Sequence, residues 1–143
     1  MKKSVLIVVF SVATSILIIT GCSKKNDAQS YSTKQLAGTY KLTASSATVP
    51  GIGTVDLMAS MQDCEKQALQ TLKEDSTYAH YDACYSDTST GKFVVKGNLF
   101  ISDPDSYPDT VTIKSFNGST LVFTFPETEQ GVTFTTTMTF TKQ

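Results

Sequence analysis

The sequence predicts an all-β fold, an eight-stranded up-and-down antiparallel barrel with a short helix in its first long connection. Three observations predict it. In 132–142, Val132, Phe134, Thr136, Met138 and Phe140 alternate strictly with Thr133, Thr135, Thr137, Thr139 and Thr141. Period two with one apolar and one hydroxyl face marks a long, half-buried strand, which must lay its dry face on other strands. Seven shorter segments with strand signals precede it. The connections between these segments also alternate in length: 48–63, 84–91, 103–108 and 126–131 are long or irregular, whereas those at Asp75, Gly97-Asn98 and Asn117-Gly118 are minimal. Successive connections of a meander fall on alternate ends, so one end is loop-rich and the other tightly stitched, as a small closed barrel with a mouth requires. A two-sheet sandwich with Greek-key crossings is the competing fold and does not produce this regularity.

Ahead of the strands, Met1, Lys2 and Lys3 open an apolar run over 5–19 that ends in Ile19-Thr20-Gly21-Cys22. A charged start and a short apolar core read as an export signal, because the core is shorter than the roughly 20 residues of a spanning helix. The four residues ending at Cys22 resemble the lipobox of bacterial lipoproteins. That resemblance implies cleavage before Cys22, a thioether-linked diacylglycerol and an acylated new N-terminus, palmitate being the expected acyl group. The expected place is the bacterial cell envelope, at the outer membrane. Residues 1–21 are then the signal, 22–35 a polar, disordered tether, and 36–143 the barrel domain.

Removing the signal from a chain of 143 residues leaves 122, one domain's worth. Ten lysines then face thirteen acidic residues, a net charge of −3 with no arginine, and the longest basic cluster is Lys24-Lys25. Nucleic acid is thereby excluded as a partner, and anionic lipid surfaces are poor ones. With Cys22 committed to lipid, Cys64 and Cys84 remain as a pair in an exported protein, which predicts a disulfide.

The first strand carries Leu36, Gly38, Tyr40 and Leu42 at period two and ends near Ala47. Pro50-Gly51 and Gly53 follow, and Asp56 is placed to cap a short helix. From there two readings stand. One is a helix over 57–73, with Leu57, Met61, Cys64, Ala68 and Leu72 at helical spacing; the other is a short helix followed by a strand over 66–73, a turn at Glu74-Asp75-Ser76 and a strand over 77–83. The cysteines favour the second. Paired residues of a hairpin keep a nearly constant index sum; Lys73 opposite Thr77 gives 150 and Cys64 with Cys84 gives 148, so a small offset or one bulge brings the sulfurs together. Phe93 and Val95, then Leu99 and Ile101, flank Gly97-Asn98 as a tight hairpin. Val111 and Ile113 lead to Asn117-Gly118, a strong two-residue turn, and Leu121, Phe123 and Phe125 define the seventh strand.

Over 36–141 the chain resembles the lipocalin-like lipoproteins of Bacteroidota. Leu36-Ala37-Gly38-Thr39-Tyr40 resembles the G-x-W opening of the first lipocalin strand, with tyrosine for tryptophan. Cys64, the turn Asp75-Ser76-Thr77-Tyr78, Cys84 and Gly91-Lys92-Phe93 resemble that group's cysteine-flanked hairpin and the strand after it. Lipocalins proper close the barrel base with an arginine over the tryptophan and carry a T-D-Y-type turn late in the barrel. This chain has no arginine, and Asn117-Gly118 stands at that turn.

One histidine, His80, and no Ser-His-Asp spacing give no constellation for catalysis, so an enzyme is not expected. Asp103, Asp105 and Asp109 could gather around calcium, but no glycine turns that loop and no glutamate closes it; no metal or cofactor is expected. Inward parity is shared by Phe93, Phe123, Phe125, Phe134 and Phe140, with Tyr40, Leu42, Leu99, Ile101, Val111, Ile113, Leu121, Val132 and Met138. Eight strands hold side chains or one small ligand, and five phenylalanines can fill much of that space.

Two function classes follow. One is a monomeric, membrane-anchored module binding a small hydrophobic molecule at the open end, with Met58, Met61, Tyr85 and Tyr107 at the mouth and Tyr40, Phe93, Phe125 and Phe134 inside. The other is a protein-interaction or inhibitor module whose loops meet a partner while the filled barrel serves as scaffold. The lysozyme-inhibitor lipoproteins are also eight-stranded barrels, but their S-G-x-x-Y type loop is absent here. The lipobox makes its own prediction: Cys22→Ser abolishes fatty-acid labelling and membrane association, and persistent labelling of that variant contradicts the assignment.

Overall fold

The computed structural model describes residues 29–103 and 105–143. The export signal expected over 1–21, Cys22 and the first part of the expected tether lie outside the described residues. A short helix, α1 (Thr33–Leu36), leads into nine strands: β1 (Gly38–Val49), β2 (Gly53–Asp56), β3 (Leu69–Leu72), β4 (Thr77–Asp82), β5 (Asp87–Lys96), β6 (Leu99–Ser102), β7 (Asp109–Phe116), β8 (Thr120–Glu129) and β9 (Val132–Lys142). From β3 to β9 each strand pairs antiparallel with the next, and β1 pairs with both β3 and β9. Eight strands therefore close an all-β barrel. The ninth, β2, is a hairpin arm laid along the far half of β1, where Ser46 opposes Asp56 and Val49 opposes Gly53.

Because β9 occupies one edge of β1, β3 and β2 must share the other. β3 takes Gly38 to Lys41 and β2 takes Ser46 to Val49. Between them the edge of β1 is met by the following connection, whose Leu57 N–H donates to Ser45 O at 2.9 Å.

Several expectations are corrected. β1 runs to Val49, two residues past Ala47, and its continuation is strand, not loop. Asp56 caps no helix; its Oδ1 accepts the Met58 N–H at 2.8 Å in a local turn, and the helical content of this connection is one 3-10 turn, Glu65–Gln67. That excludes the helix over 57–73. The hairpin follows the index sum, with Leu72 opposite Tyr78 and Leu69 opposite Tyr81. Cys64 and Cys84 are disulfide-bonded with Cα atoms 4.9 Å apart.

The third and seventh connections are also shorter than expected. Asp82 opposes Asp87 across a four-residue turn, and Glu129 opposes Val132 across Gln130-Gly131. Both residues of the latter have positive φ, 50° and 81°, the backbone twist that lets two long strands meet in a tight hairpin. Alternation of loop length thus fails at those two connections while alternation of ends holds. Tyr31 N–H donates to Gly97 O at 3.0 Å and Lys142 N–H to Ser119 O at 2.7 Å. Leu36 and Lys142 accordingly lie at the tight-turn end, opposite the mouth.

Inward parity was misread on β6. Lys96 opposes Leu99 and Val95 opposes Phe100, and directly opposed residues share a face. A two-residue turn after inward Val95 therefore makes Phe100 and Ser102 face inward and turns Leu99 and Ile101 outward; Leu99 is 38% exposed. Val132, beside the hairpin turn, is 49% exposed. Two bulges switch parity elsewhere: past Thr43, Ser45 and Ala47 become the buried residues of β1, and past Lys114, Phe116 joins the core. The freed geometry at Thr43 is used by its hydroxyl, which donates to Thr139 O at 3.2 Å.

The core fills the closed end, with Leu36, Tyr40, Leu72, Phe93, Ile113 and Leu121 at its centre. Tyr31, Ser32 and the first three residues of α1, expected within the tether, lie there too: Tyr31 is buried edge-on to Phe116, and Ser32 with Gln35 forms a capping box. The Tyr40 hydroxyl donates to Leu36 O at 2.8 Å. Lys142 Nζ donates to Ala37 O at 2.8 Å and stands 6.0 Å from the Tyr40 ring centroid. A lysine from the last strand thus stands over an aromatic ring at the base of the barrel.

Closing the loop between Cys64 and Cys84 contributes roughly 3 kcal/mol in the chain-entropy model. Replacing both cysteines with serine lowers denaturation stability by about that amount in the same model, read by urea unfolding; two free thiols in the folded, oxidatively purified protein would contradict the bridge.

Candidate functional site

Above the core the barrel is not filled. Phe93 stacks on Phe100 with ring centroids 4.9 Å apart, Phe100 lies 5.3 Å from Phe123, and Phe123 lies 5.9 Å from Phe140. These rings form a floor. On the mouth side of it the inward positions of β5 and β6 are Ser89, Gly91 and Ser102, which supply almost no bulk. A cavity of about 480 Å³ results. Phe100, Val111, Phe123, Phe125, Met138 and Phe140 make its apolar wall. Exposed Ser89 and Asp109 stand among its lining residues, so it reaches solvent there.

A second chamber of about 240 Å³ adjoins it and shares Gln70, His80, Met138 and Phe140. Leu42, Met61, Glu65, Ala68, Leu69 and Asp82 complete that wall. From β1 it takes Leu42, the last inward residue before the Thr43 bulge. Met61, Glu65 and Ala68 belong to the connection that the disulfide staples to the β4–β5 turn.

The polar groups are few and fixed. His80 Nδ1 lies 3.2 Å from Gln70 Oε1, and both residues line both chambers. The Tyr78 hydroxyl donates to Asp103 Oδ2 at 2.6 Å, and Asp103 Oδ1 accepts Lys92 N–H at 3.3 Å. Tyr78 opposes Gly91 across the sheet, and a Cβ there would strike the Tyr78 ring and the Asp103 carboxylate. Glycine is required at 91 for space, so that the phenol can cross to Asp103. That hydrogen bond, then burial and the carboxylate's charge, push the Tyr78 phenol up to about 12. Asp82 Oδ1 accepts the N–H groups of Cys84 at 2.8 Å and Tyr85 at 3.2 Å, which ties this carboxylate to its turn. Among the described residues no three His, Cys, Asp or Glu side chains are grouped to hold a metal.

Charge is divided along the barrel axis. The closed end carries Lys34, Lys73, Lys96, Lys114 and Lys142, against Glu74 and Asp75 in the β3–β4 turn. Around the mouth the connections over 57–68 and 103–108 carry acidic residues, and Asp82, Asp87, Glu127 and Glu129 flank the other two on their strands; Lys66 pairs with Asp63 at 3.3 Å, and Lys92 of β5 with Asp105 at 3.9 Å.

Of the residues singled out from sequence, Phe125 lines the large chamber and Met61 the small one. Phe93 and Tyr40 lie sealed in the closed-end core. Met58 and Phe134 are half-buried and line neither chamber, while Tyr85 and Tyr107 project from the mouth, 84% and 92% exposed. Sequence reasoning missed Gln70, Tyr78, Phe100 and the part played by His80. Alternation was the signal that could have found them: Gln70 and Leu72, then Tyr78 and His80, share inward parity once the hairpin register is known.

Residues 36–123 match the family model of the lipocalin-like domain. No curated protein matches the chain at a significant level.

The Tyr78–Asp103 bond makes a prediction with a definite sign. A phenol raised in the folded state stabilises the fold fully below the ordinary tyrosine value of about 10 and loses that contribution as pH rises through about 12. Tyrosinate absorbance should show a late-titrating phase that Tyr78→Phe removes; an unchanged titration curve would contradict the bond.

Proposed function

This chain belongs to the lipocalin-like domain family, and we propose that it acts as a membrane-anchored barrel that binds a small hydrophobic molecule at its open end. The observation that carries the reading is the chamber of about 480 Å³ walled by phenylalanine, valine and methionine above a closed core. Volumes of this order, mostly apolar with a few placed polar groups, are what small-molecule sites have. The apolar wall supplies affinity through area removed from water, and Tyr78, His80 and Gln70 supply orientation.

Anchoring through Cys22 completes the arrangement. Tyr31 meets the barrel beside Gly97 at the closed end, so a tether arriving there leaves the mouth directed away from the membrane. In this reading the protein is a monomer of the bacterial cell envelope, held at the outer membrane by its lipid, and its activity is binding without catalysis.

A second reading is favoured by the mouth itself. Ile52, Tyr85 and Tyr107 on three of its connections, and Val132 beside the fourth, are exposed, and such side chains suit a protein partner.

Nile red, a neutral apolar dye, separates the readings. The first expects saturable fluorescence enhancement with one dye per protein, suppressed at least about tenfold, roughly 1.4 kcal/mol, by Ser89→Trp, which closes the entrance from an exposed position. Retention of binding in that variant, or enhancement reduced by Tyr85→Ser and Tyr107→Ser instead, favours the loop surface.

A further inference from the structure

We propose that the ligand of this barrel is a cationic amphiphile, an apolar body carrying an amine or quaternary ammonium, with its charged end held between Glu65 and Asp82 and its body in the phenylalanine-walled chamber. The inference rests on the binding function proposed above and names the chemical class that the cavity selects.

Among the described residues the ionisable side chains lining the two chambers are Glu65, Asp82, Asp109, His80 and Tyr78, with no lysine among them, and the chain has no arginine. Three carboxylates thus stand against one imidazole. The proton of Tyr78 is committed to Asp103. Asp82 is fixed through Oδ1 by two backbone N–H groups, and Glu65 Oε2 accepts Gln62 N–H at 2.6 Å. The second oxygen of each has no hydrogen-bonding partner among the described residues, which leaves an acceptor on each carboxylate for a ligand. Both line the smaller chamber, which shares Gln70, His80, Met138 and Phe140 with the lining of the larger one. A ligand lying across both places charge at one end and apolar surface at the other.

The surroundings act in the same direction. Asp87 of β5 and Glu127 and Glu129 of β8, at the mouth ends of their strands, share the carboxylates' sign, and Lys34, Lys73, Lys96, Lys114 and Lys142 lie at the opposite end. A cleft lined by one sign of charge between low-dielectric walls focuses that field. A fatty-acid carboxylate entering here meets like charge with no cationic partner to neutralise it. A neutral alcohol gains the apolar wall alone.

The test is displacement of Nile red from the full-length domain at low salt by three ligands of one chain length: decyltrimethylammonium, decanol and decanoate. The cation is expected to displace dye at a concentration on the order of tenfold below decanoate, with decanol between them. In the paired variant Glu65→Gln, Asp82→Asn the cation loses its advantage while decanol is unchanged. Should that variant fail to fold, salt supplies the readout on the wild type, because screening must narrow the gap between cation and anion. Equal displacement by all three, or preference for decanoate, overturns the charge selection and leaves the binding function standing. Dye uptake with no displacement by any of them overturns both.

Discussion

The pairing of β1 with β9 is the constraint on which the rest depends. It runs from Tyr40 opposite Lys142 to Thr48 opposite Thr135, and without it the sheet would be open, with two long unpaired edges inviting association. Closure brings Lys142 over Tyr40 at the base and the Thr43 hydroxyl to Thr139. It also forces β1 to bend. The bulge that permits the bend reverses which residues point inward, so the mouth half of β1 contributes serine and alanine where its closed half contributes tyrosine and leucine. Two halves of one strand thus face the interior differently, and Leu42, the last inward residue before the bulge, lines the smaller chamber.

The division extends to the remaining walls. β5 reads Ser89, Gly91, Phe93 on its inward face, passing from open chamber to sealed core within five residues. Phe93 and its stacked neighbours separate the two zones, and stability resides below them. The upper zone is shaped by side chains whose hydrogen bonds hold them in place: Tyr78 against Asp103, His80 against Gln70, Asp82 against its own turn. Such preorganisation reduces what a ligand must order when it binds.

Much of this was legible in the sequence, and for local reasons. The threonine-faced last strand, the Asn117-Gly118 turn and the index sum that joined Cys64 to Cys84 each depend on residues near one another in the chain, where period and turn chemistry act directly. The errors arose where information had to cross a turn or a bulge. Leu99 looked inward because its segment was read alone, although two residues between Val95-Lys96 and Leu99-Phe100 already decide the facing. The bulges at Thr43 and Lys114 have no glycine to announce them. The tight turns at 83–86 and 130–131 were read as loops because polar residues of the projecting strands look like loop residues. His80 seemed an ordinary strand histidine, and it became a lining group only once β3 and β4 were set in register.

The central claim is that a small molecule occupies the interior above the phenylalanine floor. Isotope-filtered nuclear magnetic resonance on the labelled domain with bound decyltrimethylammonium tests it most directly. The account predicts intermolecular contacts from the ligand's methylene protons to the Met138 methyl and to the rings of Phe123 and Phe125, both of which line the large chamber. Contacts confined to Ile52, Tyr85 and Tyr107, or none to the interior, would contradict it.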